Sequence, residues 1–148
     1  MSIKQIGVVG AGTMGNGIAQ ACALAGIPVV MTDIAQAAVD RGLKAIDGSL
    51  ERLVKKEKLT AEAKARAMGL VSTATDTSRL SDCDLIVEAA TENLDLKLKL
   101  FAALDGLAKP GAIIASNTSS ISITRLAAAT GRPEQVIGMH FFNPVPMM

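Results

Sequence analysis

At 148 residues and a formal net charge of +1, the chain suits one domain that buries roughly 70% of its unfolded surface, and it carries no field to hold a polyanion. Aromatic residues make up 2%, with neither Trp nor Tyr, so no stacking platform for nucleic acid is expected. Cys22 and Cys83 lack CxxC spacing and His neighbours, which reads as buried thiols in a reducing compartment and gives no metal site. No basic-then-apolar leader opens the sequence, and no uncharged run reaches the ~18 residues of a bilayer span, so a cytoplasmic protein without a membrane contact is expected.

A β-branched apolar run over residues 3–9 predicts a buried strand. Directly after it stand Gly10, Gly12 and Gly15 in Gly-x-Gly-x-x-Gly spacing, then Ile18, Ala19, Cys22, Ala23 and Ala25 at helical spacing. Strand, glycine turn and helix in that order form the dinucleotide-binding fingerprint. Gly10 permits the tight turn, Gly12 lets the backbone approach a pyrophosphate, and Gly15 lets helix lie close on strand. Ala11, Thr13 and Met14 complete a turn whose free N–H groups face the phosphates. Residues 29–32 predict a second strand ending at Asp33, 18 positions beyond Gly15, close to the ~20 expected of an acid that binds the adenosine ribose. Its charge repels a 2′-phosphate, so NAD is expected rather than NADP.

Residues 36–70 are helical in character and too long for one crossover. Leu43, Ile46, Leu50, Leu53 and Val54 share one helical face, with Lys44, Asp47, Glu51 and Lys55 opposite. Thr60 stands as an N-cap before an alanine-rich restart, so a helical hairpin is inserted between strands two and three. Short strands follow at 70–73 and 84–89. An amphipathic helix over 94–107 leads to strand five at 112–115, a helix at 124–130 and strand six at 135–140. The alternation predicts a Rossmann-type, doubly wound α/β fold with a parallel sheet ordered 3-2-1-4-5-6.

In such a sheet ligands bind outside the carboxyl ends of the strands. The polar clusters at 89–93, 116–120 and 140–144 therefore share one edge with the glycine turn. His140, the single histidine, follows a strand there beside Phe141 and Phe142, an apolar setting suited to a neutral general base. Ser119 lacks a nucleophile elbow and reads as a hydrogen-bond partner to a substrate oxygen. Asn117 and Asn143 position polar groups or cap strand ends locally. Glu92 and Lys97 flank the nicotinamide position, with a solvated helix face as the other account of Lys97.

Gly10-Ala11-Gly12-Thr13-Met14-Gly15, Glu88-Ala89-Ala90-Thr91-Glu92-Asn93, Ser116-Asn117-Thr118-Ser119-Ser120 and Gly138-Met139-His140-Phe141-Phe142-Asn143-Pro144-Val145-Pro146 together resemble the 3-hydroxyacyl-CoA dehydrogenases, and among them the bacterial 3-hydroxybutyryl-CoA enzymes. The resemblance implies an NAD-dependent oxidoreductase that interconverts L-3-hydroxyacyl-CoA and 3-oxoacyl-CoA. It makes His140 the base and places Ser119 on the substrate's 3-oxygen. Glu92, Lys97 and Asn117 fall on the nicotinamide half, and Asp33 on the adenosine ribose. Ser49 and Lys56 of the hairpin, with Asn143, fall on the acyl-CoA. In that family a helical second domain completes the cleft, forms a homodimer and supplies a glutamate to the histidine. Residues 1–148 are accordingly expected to be the NAD-binding domain alone, binding NADH with little turnover. Val145, Met147 and Met148 are expected to form an exposed apolar patch. Two other readings stand beside this one: a related 3-hydroxyacid dehydrogenase, and a stand-alone NAD-binding module without chemistry.

Overall fold

The computed structural model describes residues 2–148. Six short strands form one all-parallel sheet: β1 (Ile6–Val9), β2 (Val29–Thr32), β3 (Val71–Ala74), β4 (Leu85–Glu88), β5 (Ile113–Ser116) and β6 (Val136–Gly138). Their order is β3-β2-β1-β4-β5-β6, as the alternation of elements predicts. Five helices wrap it: α1 (Thr13–Leu24), α2 (Gln36–Lys55), α3 (Ala61–Leu70), α4 (Leu94–Leu107) and α5 (Ile123–Ala128).

β1, β2 and β4 are buried along their whole length, which explains sequences that are apolar up to the polar Thr32 and Glu88 at the carboxyl ends of β2 and β4: helices cover both faces. Val8, Met31 and Val87 point into one core with Ile18, Ile46 and Leu50. Val9, Val30 and Ile86 point into the other with Phe101, Leu104 and Leu126. The register brings Ala74, Thr32, Val9, Glu88, Ser116 and Gly138 into one row across the carboxyl edge. Every loop that carries a candidate residue leaves from that row.

The inserted hairpin is α2 and α3, with the Thr60 hydroxyl accepting from Ala63 N–H at 3.1 Å as the cap. Lys64 of α3 reaches Asp47 at 2.9 Å and Glu51 at 2.8 Å on α2, so the half-exposed acids of α2's polar face are tied to α3.

Strand ends differ from the expected ranges for physical reasons. β1 starts at Ile6, not at residue 3, because the N–H groups of Lys4 and Gln5 donate to the Asp84 carboxylate at 2.8 and 3.0 Å instead of to a neighbouring strand. β6 stops at Gly138. Met139 N–H still donates to Ser116 O at 2.8 Å, and His140 lies outside the sheet on an exposed loop. α5 begins at Ile123, one residue before the expected start, where Ser122 caps it, and it ends at Ala128.

The expected apolar patch at the C-terminal end is only partly formed. Val145 is buried at 9% exposure while Met147 and Met148 are 83% and 78% exposed. The difference lies in Gly17 on α1, where a Cβ would stand 2.8 Å from the Val145 Cβ. The missing side chain leaves a seat that Val145 fills.

Candidate functional site

The glycine turn has the geometry that its spacing predicts. Gly10 holds φ at +106°, a conformation L side chains rarely adopt. A Cβ on Gly15 would stand 1.7 Å from the Gly10 carbonyl oxygen, so helix and turn touch backbone to backbone. Gly12 is the opposite case. A Cβ there would meet nothing within 4 Å, and the residue is exposed. The protein leaves open the space where a pyrophosphate approaches. α1 starts at that glycine without a side-chain cap, so its first N–H groups and dipole serve an anion.

The Asp33 carboxylate accepts from Ala11 N–H at 3.0 Å, which fixes it across the turn. Ala11, Gly12, Thr13 and Asp33 line a cleft of about 420 Å³ with Asn16, Arg41 and Gly42. A dinucleotide's adenosine end fits such a cleft: an acidic side chain for the ribose hydroxyls beside an open anion seat. Sequence reasoning missed Arg41, which sits on the polar side of α2 and carries no motif.

Next along the edge, Met14, Ala89, Ala90, Thr91, Glu92, Lys97, Asn117 and Thr118 line a cleft of about 250 Å³. Glu92 reaches across it, accepting from Thr118 Oγ1 at 2.7 Å and Ser120 Oγ at 3.2 Å. Lys97 is not on a solvated face. Its side chain is 1% exposed, and its ammonium is ion-paired to Glu88 and lies 3.3 Å from Ser116 Oγ. The reason is position: Lys97 lies in the first turn of α4, above the row where β4 and β5 end.

His140 and Ser119 meet in a third cleft of about 250 Å³, with Met14, Glu92, Asn117, Phe142 and Asn143. His140 Nδ1 lies 2.8 Å from the Asn117 carbonyl oxygen. A carbonyl oxygen carries no proton, so Nδ1–H donates, and in the neutral ring Nε2 keeps its lone pair. In this structure a backbone carbonyl of the chain itself selects that tautomer. The apolar setting is one-sided. Phe142 tilts against the imidazole with centroids 4.9 Å apart, but Phe142 is 63% exposed and His140 is exposed. Nor is Asn117 a local cap. Its Oδ1 accepts from Phe141 N–H at 2.8 Å, 24 residues away, stapling the loop after β5 to the histidine loop.

Ser49 and Lys56 come together in a cleft of about 320 Å³ between α1, α2 and the segment after β6, and Asn143 joins them. Arg52, Lys58, Asn16 and Gln20 line it too. Arg52, Lys56 and Lys58 give its rim a positive charge that no acid among the lining residues offsets. Asn143 also lines the His140 cleft, and Met14 lines both that cleft and the one crossed by Glu92, so the clefts adjoin. Among the described residues no three His, Cys, Asp or Glu side chains converge as metal ligands, and no helix is long and apolar enough to cross a membrane. Burial pushes the thiols of Cys22 and Cys83 up to about 11.

Residues 5–148 match the family model described as 3-hydroxyacyl-CoA dehydrogenase, NAD binding domain. The chain is 52% identical over 146 residues to a 3-hydroxybutyryl-CoA dehydrogenase of Bradyrhizobium diazoefficiens, covering 99% of this chain and 50% of that protein. It is 42% identical over 148 residues to a 3-hydroxyadipyl-CoA dehydrogenase of Escherichia coli, covering 100% of this chain and 31% of that one. The crystal structure of an (S)-3-hydroxybutyryl-CoA dehydrogenase from Ralstonia eutropha matches it with a TM-score of 0.97 at 57% identity, over 99% of this chain and 52% of that one. The chain thus spans about half the length of the Bradyrhizobium and Ralstonia 3-hydroxybutyryl-CoA dehydrogenases.

Proposed function

Since this chain belongs to the 3-hydroxyacyl-CoA dehydrogenases, as their NAD-binding domain, we propose that it forms the cofactor half of an enzyme interconverting L-3-hydroxyacyl-CoA and 3-oxoacyl-CoA. A short acyl chain such as 3-hydroxybutyryl is favoured by the substrates named for similar proteins. The observation that carries the reading is the His140 tautomer. With Nδ1–H committed to the Asn117 carbonyl, Nε2 is the free base in a cleft shared with Ser119. In the oxidative direction Nε2 takes the proton of the substrate's 3-hydroxyl while the Ser119 hydroxyl donates to the same oxygen. NAD, held by the glycine turn and Asp33 at one end and by Glu92 and Asn117 at the other, would supply the redox chemistry as the hydride acceptor. Glu92 and Asn117 hold the nicotinamide half, and Asp33 the adenosine ribose.

The cleft with Ser49, Arg52, Lys56 and Lys58 takes the CoA part, its cations meeting phosphates and its apolar stretch meeting the pantetheine chain. Asn143 sits where this cleft joins that of His140 and orients the acyl end. A second domain covers the exposed side of His140 and Phe142, excludes water there, and makes the homodimer. The enzyme works in the cytoplasm. The test is NADH oxidation by acetoacetyl-CoA, measured with the protein that carries this domain. Turnover that collapses in His140→Gln with NADH binding intact supports the reading; NADH binding without any turnover supports a stand-alone binding module instead.

A further inference from the structure

Only three side chains of α1 carry oxygen or nitrogen: Thr13, Asn16 and Gln20. At these spacings they share one face of the helix, and all three line the cleft of Ser49, Lys56 and Asn143. Thr13 is exposed, where water serves its hydroxyl. Asn16 is tied to the chain itself, its Nδ2 donating to Gly12 O at 2.7 Å. Gln20 has neither provision. It is 1% exposed, and its Nε2 is the one buried side-chain nitrogen or oxygen without a hydrogen-bond partner among the described residues. An orphaned buried donor is costly, and Leu or Met would fill the same space without that cost. A carboxamide in that place is explained by a partner that arrives with a ligand.

The cleft limits what that partner is. Its cations, Arg52, Lys56 and Lys58, come from the end of α2 and the turn after it. Gln20 stands apart from them on α1, one helical turn beyond Gly17 and the Val145 seat. Charged groups of a ligand are therefore met by the cations, and Gln20 meets a neutral one. Leu53, Val145 and Met147 give the walls an apolar character. A neutral hydrogen-bonding group on a largely apolar thread is the amide of a pantetheine arm. A carboxamide suits an amide in both directions, since it offers two N–H donors and a carbonyl acceptor. The last torsion of a Gln side chain is broad and roughly two-fold, so either end can turn toward the cleft while the stem stays packed.

We propose that Gln20 is a further substrate-binding residue, whose carboxamide hydrogen-bonds an amide of the pantetheine arm when acyl-CoA enters the cleft of Ser49 and Lys56. The inference rests on the reading above that this cleft takes the CoA part. It adds the group that recognises the arm rather than the phosphates, and it gives the buried amide its partner. Cofactor phosphates and substrate arm are then both met by α1, the first at its open N-terminal turn and the second two turns further on.

The test is calorimetry on the protein that carries this domain, with two probes: coenzyme A, which has the arm, and adenosine 3′,5′-bisphosphate, which lacks it. Gln20→Met keeps the volume and removes both hydrogen-bonding ends. It is expected to weaken coenzyme A roughly three- to tenfold, the net worth of one hydrogen bond, and to leave the bisphosphate and NADH within about twofold. Because the variant buries no orphaned amide, its unliganded thermal midpoint stays level or rises. Should Gln20→Met not fold, Gln20→Leu and Gln20→Asn, which draws the amide back by one methylene, decide by the same ratio. Equal coenzyme A affinity in variant and unmutated protein would overturn the proposal. If the midpoint also fell, the amide's partner would lie in the second domain. A loss shared by coenzyme A, the bisphosphate and NADH would overturn it as well, since Gln20 would then serve packing alone. Failure of the underlying reading shows separately, in the unmutated protein: no turnover of acetoacetyl-CoA if it is not a dehydrogenase, and no binding of coenzyme A if the cleft takes something else, which would overturn the proposal too.

Discussion

The cleft beside Asp33 and the cleft beside His140 lie on the same sheet edge but are made differently. The first is drawn from residues 11–45, one βαβ unit and the helix after it, and its central contact joins Asp33 to Ala11. The second gathers Met14 from the start of α1 and Glu92, Ser119 and His140 from three separate loops, held by bonds that span 23 residues or more. A site made from chain neighbours is complete once the local unit folds. One made from distant loops depends on the whole sheet, and here it stays open on one side, with Phe142 63% exposed. Binding of the adenosine half and catalysis should accordingly separate under mutation.

The largest separation is expected from His140→Gln. Loss of a general base lowers kcat by about 10²–10⁴-fold, while NADH affinity stays unchanged in fluorescence titration; a parallel loss of affinity would break the contrast. Asp33→Ala acts on the other side. The charge-assisted hydrogen bonds removed are worth ~1.5–3 kcal/mol, so NADH affinity falls roughly ten- to hundredfold. NADPH should then bind as well as NADH or better, because Arg41 in the same cleft meets the 2′-phosphate once the repelling acid is gone. Equal titration curves for NADH and NADPH on the unmutated chain would contradict this.

A smaller effect belongs to Lys56→Ala in the protein that carries this domain. An exposed cation steering a phosphate contributes on the scale of a surface ion pair, so KM for acetoacetyl-CoA rises about two- to fivefold. Its salt dependence also flattens. A KM unchanged at low ionic strength would return Lys56 to the role of a solvated surface charge.

The smallest effect lies away from both clefts. Asp84 is held at about 2, below its ordinary 3.8, first by its hydrogen bond to Lys109 and then by the N–H groups of Lys4 and Gln5. A carboxyl with a lowered folded value stabilises the fold above its ordinary value and loses that contribution as pH falls through the folded one. Asp84→Asn should lower Tm slightly at neutral pH and flatten the fall in Tm between about pH 4 and pH 2.

The fold was legible where local pattern and final environment agree. The apolar runs of β1, β2 and β4, the glycine turn, and Thr60 before α3 each name their element without help from distant residues. The loop clusters were legible as an edge, because a parallel sheet puts all strand ends on one side. Roles within the edge were harder to read. Nothing local marks Lys97 as buried: it lies among Asp95, Leu96, Leu98 and Lys99, and only the convergence of β4, β5 and α4 hides it. The same holds for Asn117, whose partners lie 23 and 24 residues away. Val145 reads as a loose apolar residue until α1 presents Gly17.

That seat of Val145 on Gly17 also works as a ruler. The open turn proposed to seat the cofactor's phosphates runs into Thr13 at the start of α1, and the chain that follows His140 is clamped four residues further along the same helix, at Gly17. At 1.5 Å per residue the two anchors lie about 6 Å apart along a single rigid rod. Cofactor and base are thus referenced to one object rather than to two loops that could drift independently.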